Sequence, residues 1–155
     1  MTSPHASPTT ATSNAWTLVF LAWLIAAVST LGALFFSEVM QLAPCELCWW
    51  QRIFMFPLVL LIPVGLFPFD PRVVRYALPM AVVGWGFAVF HWLLVLGVIP
   101  ESIRPCVRGV PCSEVTFEWL GFINIPLLSV MAFSGIIALL LMARPKKFTS
   151  TQNSK

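Results

Sequence analysis

Charge is what this sequence has least of. Asp, Glu, Lys and Arg make up 10% of its 155 residues, where soluble domains carry about a quarter. So little charge cannot cover a water-facing surface, which excludes an ordinary soluble domain and leaves lipid as the surrounding medium. The net charge is only +3, and no run of Lys and Arg interleaved with aromatics is present to track phosphates, so no nucleic-acid partner is expected. The first fifteen residues, Met1 to Ala15, contain no Lys or Arg. They lack the positive n-region of a cleaved signal peptide, and the apolar stretch after them is too long for an h-region. Residues 1–15, rich in Ser, Thr and Pro, read as a disordered tail, and the stretch that follows reads as a retained membrane anchor.

What the chain has instead is apolar length. Four segments stand out, at about 16–36, 49–69, 76–99 and 119–143. Each is about 20 residues or longer, enough at 1.5 Å per residue to cross a ~30 Å hydrocarbon core. The expected fold is an all-α, four-transmembrane-helix bundle. Pro57, Pro63, Pro79 and Pro126 fall inside these segments. Neighbouring helices can satisfy the carbonyls that proline frees, so they predict kinks rather than breaks. Arg72 and Arg75 in the second connection, with Arg144, Lys146, Lys147 and Lys155 in the basic tail 144–155, outnumber Arg52, Arg104 and Arg108 on the other side. The positive-inside rule then puts both termini in the cytoplasm and the first and third connections outside.

All four cysteines fall on that outer side, where disulfides persist. Cys45-Glu46-Leu47-Cys48 is a C-x-x-C at an expected helix N-terminus, where free N–H groups and the helix dipole stabilise a thiolate. Such a thiolate is both nucleophile and leaving group in disulfide exchange. A static loop-to-helix disulfide, or half of a zinc site, is the plain alternative. Arg52 lies four residues after Cys48, one turn deeper on nearly the same face. It is a candidate donor to a quinone carbonyl, against the simpler reading of an interfacial snorkelling arginine. His91 sits roughly 12 Å below the outer end of the third segment and could flank the same headgroup, or merely bond a neighbouring helix. Trp49 and Trp50 fit an interfacial aromatic belt, and one of them, Trp49 being the candidate, could wall a ring-shaped ligand. Cys106 and Cys112 form a C-x5-C loop held by Pro105, Gly109 and Pro111, open to a protein partner or purely structural.

Taken together, Cys45-Glu46-Leu47-Cys48-Trp49-Trp50-Gln51-Arg52, His91-Trp92-Leu93-Leu94, Pro105-Cys106 through Gly109-Val110-Pro111-Cys112-Ser113, and Trp119 through Leu128 resemble the disulfide-bond formation protein B (DsbB) family, in its short BdbC-like branch. The resemblance implies a multi-pass thiol:quinone oxidoreductase of the bacterial cell membrane. It would reoxidise a thioredoxin-fold dithiol oxidase (DsbA/BdbD-like) with ubiquinone or menaquinone as acceptor. It also implies disulfides Cys45–Cys48 and Cys106–Cys112. The partner would attack at Cys106, the freed loop thiol would attack Cys45, and Cys48 would leave towards the quinone beside Arg52. The C-x5-C loop is shorter than in the enterobacterial branch. A vitamin K epoxide reductase-like enzyme would carry its C-x-x-C on the last helix rather than the second. A tetraspan scaffold with structural disulfides, or a four-cysteine zinc site that leaves Arg52 unexplained, are the remaining alternatives; no metal is expected.

Overall fold

In lipid, every backbone N–H and C=O must find its partner inside the chain, so apolar runs of this length fold as helices. A computed structural model describes residues 8–99 and 125–144, with side chains from Asn14 onward. It contains α1 (Pro8–Leu34), α2 (Glu46–Leu66), α3 (Val73–Val95) and α4 (Ile125–Met142), and no strand among the described residues. The chain is a four-helix membrane protein: four stretches, Asn14–Val39, Glu46–Leu66, Val73–Val95 and Ile125–Met142, are long and apolar enough to cross a bilayer. The first helix begins at Pro8, ahead of the apolar pattern at Trp16. Proline's fixed φ suits a first helical turn, and the Thr, Ala and Ser residues after it include no breaker. Residues 119–124, expected in the fourth helix, lie outside the described residues.

At its C-terminal end α1 passes into one π-helical turn, Phe35–Val39. The four helices close into a ring, α1 on α2, α2 on α3, α3 on α4 and α4 back on α1. Most residues of the spanning helices stay outside the core: seven of 21 are buried in α2, eight of 23 in α3 and four of 18 in α4. The outward faces are apolar as well, with Leu60 and Val64 each 74% exposed. Such surface is stable only against lipid.

Because lipid tails are as apolar as Leu, close packing and hydrogen bonds rather than hydrophobic burial hold such helices together. Pro63 has no N–H, so the carbonyl of Val59, four residues earlier, loses its helical partner. The indole of Trp23 on α1 donates to that carbonyl at 3.1 Å. Between α3 and α4, Trp85 donates to Ser134 Oγ at 2.9 Å, and Ser134 donates to the Val130 carbonyl at 2.7 Å. Gly84 lets α4 approach: a Cβ there would lie 2.5 Å from Phe133 Cε1 and 3.0 Å from Phe54 Cβ. Phe133 is fully buried.

Gly84→Val should therefore overpack the α2–α3–α4 contact. The expected cost is about 1–3 kcal/mol, read as a lower unfolding temperature in detergent, with partial recovery when Phe133→Leu is added. A single variant as stable as the wild type would show that α4 has room to spare.

Candidate redox site

Cys45 takes the position that Ser, Thr or Asp takes in most helices. Its backbone is extended (φ −68°, ψ 167°) and its sulfur accepts from the Cys48 backbone N–H at 3.3 Å, capping α2. The two sulfurs are 2.7 Å apart as free thiols. Cys45 is 2% exposed and packs with Leu47 on α2 and Leu94 on α3; Phe90 and Ile99 lie against this cluster. It precedes the membrane-spanning part of α2, and its thiol is pulled well below the ordinary thiol range. The Cys48 side chain donating to it is the main cause; burial opposes, while the His91 ring and the Cys48 N–H add to the lowering.

His91 reaches this pair from α3. Its Nε2 lies 3.8 Å from Cys45 Sγ, and its Nδ1 lies 3.0 Å from Gln51 Nε2. His91 is 2% and Gln51 7% exposed. As placed, the Gln51 amide donates to Nδ1, so the ring proton sits on Nε2 and faces the Cys45 sulfur. A histidine deep in an apolar helix needs such partners, since an unpaired buried polar group costs about 1–3 kcal/mol.

Arg52 is held from α1. One guanidinium nitrogen donates to the Ala33 carbonyl at 2.7 Å and another to Ser37 Oγ at 3.3 Å. Ser37 also donates to the Ala33 carbonyl, at 3.2 Å. Both groups belong to the junction of α1 with its π turn, a kind of helix irregularity that often accompanies function. The Arg52 guanidinium lies 5.6 Å from the centre of the Trp49 ring, a cation–π distance.

Between α1, α2 and α4 lies a cavity of about 420 Å³. Cys48, Gln51, Arg52 and His91 supply its polar wall, with Ser29 and Ser129 facing them among apolar side chains such as Phe56 and Phe133. Of the residues singled out in the sequence, Cys45, Cys48 and His91 come together, and Arg52 joins Cys48 and His91 at the cavity. Trp49 is 54% exposed and carries Arg52 rather than lining the cavity. Cys106 and Cys112 lie outside the described residues. Gln51 escaped the sequence reading, although an uncharged polar residue three positions after Cys48 in an apolar helix was the available signal.

A model described as "Disulfide bond formation protein DsbB" matches residues 14–143 of the chain. "Disulfide bond formation protein C" of Bacillus subtilis (strain 168) is 42% identical over 134 residues, covering 86% of this chain and 97% of its own. A "Probable disulfide formation protein" of Metapseudomonas resinovorans is 45% identical over 130 residues, covering 83% and 90% respectively. A protein of the same description from Deinococcus radiodurans is 40% identical over 142 residues, 86% of this chain and 92% of its own. No solved structure matches.

The Cys45 environment predicts a pH profile. A lowered thiol pKa keeps the thiolate as pH falls, so in the reduced protein a small neutral reagent should go on alkylating Cys45 well below the ordinary thiol pKa of about 8.5. Site-by-site mass spectrometry reads this directly. Gln51→Leu should move the midpoint upward by up to about one pH unit, roughly tenfold in thiolate at fixed pH, and His91→Phe should move it the same way. An ordinary thiol midpoint in the wild type would refute the stabilisation described.

Proposed function

Because the chain belongs to the disulfide bond formation protein DsbB family, we propose that it is a membrane thiol:quinone oxidoreductase that reoxidises a thioredoxin-fold dithiol oxidase. A role in disulfide bond formation, and hence oxidoreductase chemistry, follows from family membership. The acceptor, the partner and the relay are the finer part of the reading. One observation carries the acceptor: Cys48, Arg52 and His91 wall a single cavity of about 420 Å³ beside the C-x-x-C pair. That volume suits a small-molecule site, apolar for most of its wall with a few convergent polar groups. A quinone ring fits this lining, with Arg52 as hydrogen-bond donor, Cys48 as the adjacent sulfur and His91 as part of the wall. When bound, the quinone supplies a two-electron, two-proton acceptor.

The chain's own residues do the rest. A partner thiolate attacks the Cys106–Cys112 disulfide, most simply at Cys106, and the loop thiol it releases attacks Cys45 Sγ. The Cys45–Cys48 bond breaks, and Cys48 leaves as a thiolate at the cavity wall, where the Arg52 charge favours it. His91 Nε2–H faces the Cys45 sulfur and can hydrogen-bond its thiolate. Over a full cycle the partner's dithiol becomes a disulfide, and two electrons and two protons reach the acceptor. Ile99 packs against the Cys45 cluster, and Cys106 follows seven residues later. An extended chain of that length spans up to roughly 25 Å, ample for the loop to reach Cys45. The positive-inside bias supports both termini in the cytoplasm of a bacterial cell and the cysteines outside it.

Purified full-length protein, given a reduced thioredoxin-fold partner and a soluble quinone analogue, should reduce the quinone. Cys48→Ser should abolish turnover with the fold intact by circular dichroism, and wild-type rates from that variant would rule the relay out. Arg52→Met should lower kcat/KM for quinone at least about tenfold, in line with the loss of a charge-assisted hydrogen bond worth about 1.5–3 kcal/mol. An unchanged kcat/KM would remove Arg52 from the acceptor site.

A further inference from the structure

The Sγ atoms of Cys45 and Cys48 and a ring nitrogen of His91 all lie within 4.8 Å of one another. We propose that the reduced Cys45–Cys48 pair and His91 form a binding site for a thiophilic divalent cation such as Zn²⁺, which the oxidised pair cannot bind. Two thiolates and an imidazole are a soft donor set suited to zinc, and poorly suited to Mg²⁺ or Ca²⁺, which take oxygen ligands.

The distances fit with little movement. For bond lengths of about 2.3 Å to sulfur and about 2.0–2.1 Å to nitrogen, tetrahedral geometry places sulfur and nitrogen roughly 3.6 Å apart and the two sulfurs roughly 3.8 Å apart. Cys45 Sγ already stands 3.8 Å from His91 Nε2. The sulfurs, at 2.7 Å, must part by about 1 Å, which a rotation of Cys48 about its first side-chain bond provides. Gln51 sits on the far ring nitrogen of His91, where zinc-bound histidines usually hold an orienting partner. With the cation on Nε2, the ring proton moves to Nδ1 and the Gln51 amide turns to present its oxygen. The fourth position opens on the cavity that Cys48 and His91 line, leaving room for a water.

Binding is an exchange and not a redox step. The cation forms two metal–sulfur bonds and one metal–nitrogen bond, and any protons held by the two sulfurs go to solvent. A disulfide offers neither thiolate, so only the dithiol binds. By linkage, the cation holds the pair reduced: at a free concentration 100 times its Kd, the tendency of the pair to reoxidise falls about 100-fold. None of this requires the quinone relay, because the site needs only the reduced dithiol and His91.

The test uses full-length Cys106→Ser/Cys112→Ser protein in detergent, without quinone or partner, titrated with Co²⁺ as a spectroscopic probe and Zn²⁺ against a chromophoric chelator. One Co²⁺ per reduced chain is expected, with thiolate-to-metal charge-transfer absorption and the visible bands of tetrahedral Co²⁺, and no binding to the oxidised chain. Gln51→Leu should weaken Zn²⁺ about tenfold, as outer partners of zinc-bound histidines do. His91→Ala should weaken it further. X-ray absorption on the unsubstituted pair and His91 should give two sulfur and at least one nitrogen neighbour, a reading that does not depend on the variants folding. Equal affinity of oxidised and reduced chains, or a site with sulfur ligands only, would overturn the proposal. Cation binding here, with the unsubstituted protein failing to reduce quinone in the partner assay, would leave this site standing and sink only the relay.

Discussion

The hydrogen bond from the Cys48 backbone N–H to the Cys45 sulfur fixes most of what surrounds it. A helix start near a membrane boundary leaves N–H groups that need acceptors. Oxygen side chains usually provide them, and here a sulfur does. The cap and the stabilised thiolate are thus one atom. Because the cap is stronger when that sulfur carries charge, ordering α2 and stabilising the Cys45 thiolate are one free-energy term seen from two sides. The same geometry puts Cys48 one helical turn in, at the cavity wall. Pro44 precedes the cap and restricts the backbone that leads into it.

The second constraint is the polarity buried behind that cap. His91 and Gln51 would each be costly inside an apolar bundle, yet each satisfies the other, and His91 turns its remaining nitrogen to Cys45. That contact spans two helices, so it depends on how closely α2 and α3 pack. Their closeness rests in turn on Gly84 of α3, where a Cβ would stand 3.0 Å from Phe54 Cβ of α2. Arg52 is fixed separately, from α1, through the Ala33 carbonyl and Ser37. The cavity is walled by residues of all four helices, and hydrogen bonds within the protein orient the His91, Gln51 and Arg52 side chains in its wall.

How much of this was legible in the sequence follows from the range of each signal. Segment length and low charge are local, and they gave four helices and the C-x-x-C at the start of the second. The pairing of His91 with Cys45 depends on the rotation of α3 about its axis, and apolar residues all round that helix leave no stripe to fix it. Trp49 looked like a ligand wall because it is aromatic and adjacent to the motif. Successive helix residues point about 100° apart, so Trp49 stands beside the Cys48 face and meets the Arg52 guanidinium at 5.6 Å without lining the cavity. The start of α1 at Pro8 is hidden in the sequence because residues 8–15 carry no large apolar side chain to mark a helix face. The role of Gln51 is not local to the motif, since its partner lies 40 residues away.

Burial of Cys45 sets the remaining condition on the chemistry. A sulfur 2% exposed is protected from solvent reductants and from chance thiols. Protection from solvent is also protection from an intended attacker. The side chains packed with Cys45 are Leu47 of α2 and Leu94 of α3, with Phe90 and Ile99 against the same cluster. Reaching the sulfur requires these side chains to part, so access to Cys45 depends on how tightly α2 and α3 pack at this end of the bundle.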